Sequence, residues 1–156
     1  AWNCMANTPI KIRLQQYLVL QQRVANQQKR LHSIKADRLA PAPPKVSGMP
    51  RSSNVSDPVG KQQERVDQLE RYIGELLSKE EKERVELERL VKRLGNPNEQ
   101  LVIEMRYFDQ QNWDGIFSAL YERQEDYYEN YDNYKQAGYR LHGAALRHLA
   151  SITRGG

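Results

Sequence analysis

The sequence predicts an all-α protein, a long antiparallel helical hairpin followed by a three-helix helix-turn-helix domain. Two observations carry the first part of this reading. Apolar residues recur in alternating steps of three and four along two long stretches, the period of helices buried along one stripe. A proline-rich stretch that cannot continue a helix separates them. The second part rests on the last third of the chain, where short amphipathic segments follow capping residues and a longer segment closes the chain. The composition agrees. Of 156 residues, 38% are hydrophobic and 28% charged, with a mean hydropathy of −0.87. Globular domains usually carry about 45–50% apolar residues, so helices that bury a single stripe suit this chain better than a large compact core.

The first arm opens at Thr8-Pro9, a hydroxyl N-cap followed by proline at the first helical position. Ile10, Leu14, Tyr17, Gln21, Val24, Gln28 and Leu31 form its seam, widened by Leu18, Ala25 and Ile34. The arm fades near Arg38. Residues 39–58 then read as an extended loop, with Pro41, Pro43, Pro44, Pro50 and Pro58 barring helix.

The second arm runs from about Val59 to Leu94. Val59, Gln62, Val66, Leu69, Ile73, Leu76, Glu80, Glu83, Leu87, Leu90 and Leu94 mark its seam, eight of the eleven being apolar. Glu80 and Glu83 interrupt it, as expected where the second helix outruns the first. Gly95-Asn96-Pro97 closes this arm. The hairpin, residues 8–95, is a spacer or dimerisation arm on its own merits, and a homodimer through it is one expectation.

Residues 96–154 form the second domain. Asn96, Pro97 and Glu99 supply a cap, a first-turn proline and an approximate capping box. Leu101, Val102, Met105 and Phe108 take the inner face of the helix that follows. A turn at Asp109–Asn112 lets Asn112 cap a short helix carrying Trp113, Ile116, Phe117 and Leu120. The last helix is expected to begin between Asn133 and Gln136, with Leu141, Ala144, Ala145, Leu149 and Ile152 inward. Lys135, Gln136, Tyr139, Arg140, Gly143 and Arg147 then face outward.

Charge is unevenly spread. Residues 1–57 hold nine basic and two acidic residues, 58–95 nine of each, and 96–156 six basic and nine acidic. The basic surface therefore lies in the first arm and its loop, where Arg30, Lys35, Arg38 and Arg51 are candidates to grip a phosphate backbone, against the plainer reading of a solvated basic face. The C-terminal acids are concentrated in an insertion, 121–134, with five tyrosines and five carboxylates. Acids beside DNA are repelled, so the insertion folds away or serves another purpose. Tyr127, Tyr128 and Tyr131 are its candidate protein-binding residues, because tyrosine combines contact area with a polar tip. The alternative is a structural turn whose tyrosines cap the core.

Enzymatic signals are weak. His32, His142 and His148 show no metal-ligand spacing, and no glycine-rich phosphate loop or activated nucleophile is present. Neither catalysis, a metal nor a cofactor is expected. Glu80 and Glu83 read as a solvated charged face rather than a metal site. Cys4 is the sole cysteine, so no intrachain disulfide forms, and a reducing interior such as the cytoplasm is the expected compartment. No apolar run approaches the ~20 residues that span a membrane, and no secretory signal is apparent. Met5 reads as a start, with Ala1 to Cys4 either appended or belonging to an upstream start.

Leu101 to Phe108, then Trp113, Ile116 and Leu120, then Tyr139 to Leu146 resemble region four of sigma factors. More closely they resemble the sigma-region-four-like transcriptional regulators of Gram-positive phages and prophages, of the late-gene activator type. Ser47-Gly48-Met49-Pro50-Arg51 with Ser56-Asp57 is similar to the upstream part of one such family. The resemblance runs from about Ile10 to Ile152. It implies a support helix at Trp113, a recognition helix at Tyr139 to Leu146, and Lys135, Gln136, Tyr139 and Arg140 facing double-stranded DNA. Arg140 is the candidate for guanine and Gln136 for adenine, with Arg147 further along. The insertion departs from the family pattern, which joins these helices by a few residues. Two functions follow as expectations: a promoter-binding regulator, or a module that docks on RNA polymerase or another phage protein.

Overall fold

The computed structural model describes residues 9–39 and 58–155, which form five helices and no strand. These are α1 (Ile10–Leu39), α2 (Pro58–Lys92), α3 (Pro97–Ile103), α4 (Trp113–Tyr121) and α5 (Tyr131–Gly155). A π-helical turn, Glu104–Phe108, continues α3. Thr8, residues 40–57 of the expected loop with the Gly-Met-Pro-Arg segment and Arg51, and the side chain of Arg38 lie outside the described residues. The all-α expectation is met.

The described residues divide into two compact units, residues 9–20 with 80–155, and residues 21–39 with 58–79. Each long helix contributes to both units. The physical reason lies in the first unit's core. Ile10, Leu14 and Tyr17 of α1 and Leu87, Val91 and Leu94 of α2 are buried in one cluster with Val102, Ile103, Phe108, Ile116, Ala145 and Leu149. Each such side chain removed from water contributes about 1.5–3 kcal/mol, which ties these helix ends to the C-terminal helices. The Tyr17 and Phe108 rings meet edge to face at 5.7 Å.

The seam glutamates have a different role from the one expected. Glu83 is buried and receives Arg13 Nε at 2.5 Å and Nη2 at 3.2 Å. Tyr17 donates its hydroxyl to Glu80 at 2.5 Å. Neither residue belongs to a solvated face, and at both positions α2 has α1 beside it. Arg13 also meets Glu86 at 2.5 Å.

In the second unit Val24, Val66, Ile73 and Leu76 are buried, as the seam predicts, whereas Gln28 and Val59 are exposed. Arg23 donates to the Tyr72 hydroxyl at 2.6 Å, and Lys35 pairs with Glu70 at 2.9 Å. In the first unit Leu20 and Val91, outside the predicted seams, are buried as well.

The caps follow local chemistry. Past Lys92 the chain tightens into i→i+3 bonds, Arg93 N to Leu90 O and Leu94 N to Val91 O. Asn96 then caps α3, its side chain accepting from Asn98 N at 2.9 Å. Glu99 does not complete a capping box. It is buried, and its carboxylate accepts from His148 Nδ1 of α5 at 2.8 Å. In the π turn, Asp109 N bonds Glu104 O at 2.9 Å. Ile103 at the end of α3 and Tyr107 in the π turn are buried, while Leu101, expected inside, is exposed.

Candidate nucleic-acid interface

Asn112 caps α4 by accepting from Gly115 N at 2.8 Å, and this orients Trp113 at the first turn. Trp113 is the hub of an aromatic cluster. Its ring lies 5.9 Å from Phe117, 5.0 Å from Tyr139 and 4.9 Å from His142. The Arg106 guanidinium, brought over by the π turn, sits 5.0 Å from its centroid. A cation above an indole face adds about 0.5–1 kcal/mol at a partly exposed site. The Tyr107 hydroxyl meets His142 Nε2 at 2.8 Å. Burial first, then the charges of Arg106 and Lys11, push His142 down to about 4, so its ring is neutral near neutral pH.

Close packing at Gly138 completes the seat of α5. A Cβ there would stand 2.6 Å from two atoms of the Phe117 ring, so the helix approaches α4 as it does only because no side chain intervenes. Ala145 and Leu149 are buried on the same helix, and the opposite face is left outward.

On that face the sequence-predicted residues separate. At 3.6 residues per turn, Gln136 and Arg147 lie within about 40° of Arg140, whereas Tyr139 is about 100° and Lys135 about 140° around the helix. All five are exposed, but Tyr139 rests its ring on Trp113 and Phe117. Among the described residues neither Arg140 nor Arg147 enters an ion pair. The stripe of Gln136, Arg140 and Arg147 is therefore open to an anionic partner. Of the first-arm candidates, Arg30 is exposed and Lys35 is held by Glu70.

The insertion folds on itself. Helix α5 starts at Tyr131, two residues before the earliest start expected, leaving a nine-residue turn between it and α4. Tyrosine hydroxyls are matched to carboxylates: Tyr131 donates to Asp114, Tyr134 to Asp126, and Tyr128 to Glu122 at 3.0 Å. Its hydrogen bond to Asp114, with burial and charge adding, pushes the Tyr131 hydroxyl up to about 12. Hydrogen bonds from Ser118 and Tyr128 hold the Glu122 carboxyl below its ordinary range, and those from Tyr134 and Asn130 do so for Asp126, so both stay ionised. Tyr127 is only 4% exposed and packs against the rings of Tyr128, Tyr131 and Tyr134. Of the three tyrosines read as a docking surface, Tyr128 alone stands well out, at 76% exposure.

The sequence reading missed Arg106 and Gly138, and gave Glu99 to a capping box rather than to His148. Only Gly138 left a local signal, a glycine inside a helical pattern, which marks either a weak helix or a close approach. Among the described residues no group of His, Cys, Asp and Glu could hold a metal, and no helix is long and apolar enough to cross a membrane. Comparison with protein-family models, curated proteins and solved structures gives no match.

Proposed function

We propose that the chain is a phage-type DNA-binding transcriptional regulator that reads promoter duplex with the outward face of α5. The observation that carries this reading is the open stripe of Gln136, Arg140 and Arg147, on a helix held from behind by Gly138, Ala145 and Leu149. Arginine and glutamine are the side chains whose paired donors and acceptors match guanine and adenine edges. Helix α5 carries Lys135, Arg140, Arg147 and Arg154 against Asp132, a balance of 4 − 1 = +3 with histidines neutral, although residues 96–156 are acidic as a whole. The resemblance of these segments to sigma region four agrees with the same use.

The test is selection of duplexes from a random pool, followed by anisotropy on the enriched sequence. Wild type should enrich a defined site, and Arg140→Glu should lose it while keeping its helical circular dichroism. Equal enrichment by the variant would refute the reading.

A second reading, docking on RNA polymerase or another phage protein, is favoured by one observation, the exposure of Tyr128 beside exposed Glu125 and Glu129. Tyr128→Ala would then abolish capture of polymerase and leave duplex binding intact.

A further inference from the structure

Resting on the DNA reading above, we propose that the contact on α5 is displaced toward its C-terminus, with Arg140 at the base edges and Arg147 and Arg154 clamping phosphates at the rim of the groove. Three observations carry this. First, Arg154 extends the open stripe. It lies about 40° around the helix from Arg140, as Gln136 does, and its Nε bonds only Ala150 O of its own helix, at 3.3 Å. No carboxylate pairs with it among the described residues.

Second, the spacing suits a duplex. Seven residues rise about 10 Å, so Arg147 stands one such step beyond Arg140 and Arg154 another. The major groove is about 12 Å wide. A helix with Arg140 over the base edges therefore carries Arg147 to the phosphates at the groove margin and Arg154 along or past them. Gly143 and Ala144, between the first two arginines, put no bulky side chain in the way of the backbone.

Third, the N-terminal end of α5 repels phosphate. Glu122, Glu125, Asp126, Glu129 and Asp132 are in or beside the turn that leads into it, and solvent-accessible carboxylates such as these carry full negative charge near neutral pH. Recognition helices of this motif usually contact bases with their N-terminal residues. Here that end is acidic, and the arginines begin more than two turns later.

The experiment is anisotropy of the full chain on its selected duplex and on random duplex, from about 50 to 200 mM salt. It compares wild type with Arg140→Gln, Arg147→Gln, Arg154→Gln and Glu129→Gln. Arg147→Gln and Arg154→Gln should each weaken both duplexes by the same several-fold factor and lower the salt slope by about 1. Arg140→Gln should instead lower the selected-to-random ratio about tenfold or more. Glu129→Gln should tighten both duplexes, because a repulsive charge is removed. If wild type binds duplex but the slope is unchanged in both Arg147→Gln and Arg154→Gln, the displaced contact is wrong and the DNA reading stands. If wild type binds no duplex, both fall.

Discussion

Gly138 of α5 lies so close to Phe117 of α4 that a Cβ would meet the ring at 2.6 Å. This one approach sets how α5 sits against the aromatic cluster beneath it. Gly143, five residues on, has only the flexible end of Arg147 near it, at 3.5 Å. The two glycines should respond oppositely to alanine. Gly138→Ala should destabilise by about 1–2 kcal/mol, overpacking outweighing the gain in helix propensity. Gly143→Ala should stabilise by about 0.5–1 kcal/mol. Urea denaturation of both variants checks this, and a stabilised Gly138→Ala would contradict the packing.

The pairing of Glu99 with His148 predicts a second asymmetry. The Glu99 side chain is 5% exposed and that of His148 62%. His148→Ala strands a buried carboxylate and should cost about 1–3 kcal/mol. Glu99→Leu removes the buried charge itself, so its cost should be smaller. Equal losses in thermal unfolding would argue against the bond.

His142 predicts a dependence on pH. Its folded value, about 4, lies below the ordinary 6.5. Above 6.5 the ring is neutral in both folded and unfolded chains. As pH falls from 6.5 toward 4 the unfolded chain takes up a proton that the folded one refuses, so stability is lost across that window and the loss levels off below it. The site is only partly buried, so the loss is about 1–2 kcal/mol once solvent screening is allowed for. The difference in unfolding free energy between wild type and His142→Gln, followed by urea denaturation from pH 7 to 4, should shift by that amount against wild type. A constant difference would show that His142 titrates normally.

Arg13 should matter more than the glutamate it binds. The Arg13 and Glu83 side chains are 12% and 8% exposed, while Glu86, on the same guanidinium, is largely in solvent. Arg13→Met leaves Glu83 charged and buried and should cost about 3 kcal/mol. Glu83→Leu leaves Arg13 its bond to Glu86 and should cost less. Chemical denaturation of the two variants orders them.

Much of the helical framework was legible from residue spacing. Leu14, Tyr17, Leu87 and Leu94 were read as seam residues and are buried, because a stripe of period three and four is a local pattern. Leu101 was misplaced because it stands in a run of three apolar residues, of which Val102 and Ile103 turn inward, and Tyr107 was overlooked because the π turn breaks that period. Glu80 and Glu83 were read as interruptions because a seam glutamate has the same spacing whether it faces water or an arginine. On the candidate interface, exposure was legible but grouping was not: Lys135 is exposed, yet lies on another flank of the helix from Arg140.

By itself the sequence determined the helical class and the caps at Asn96 and Asn112, since each depends on residues within about one turn of one another. Only the tertiary structure decided the pairings of Glu99 with His148, Tyr107 with His142, Arg13 with Glu83 and Asp114 with Tyr131. Those partners lie 17 to 70 residues apart. They are selected by burial, which penalises any polar group left unmatched, and burial is a property of the packed core that no local spacing carries.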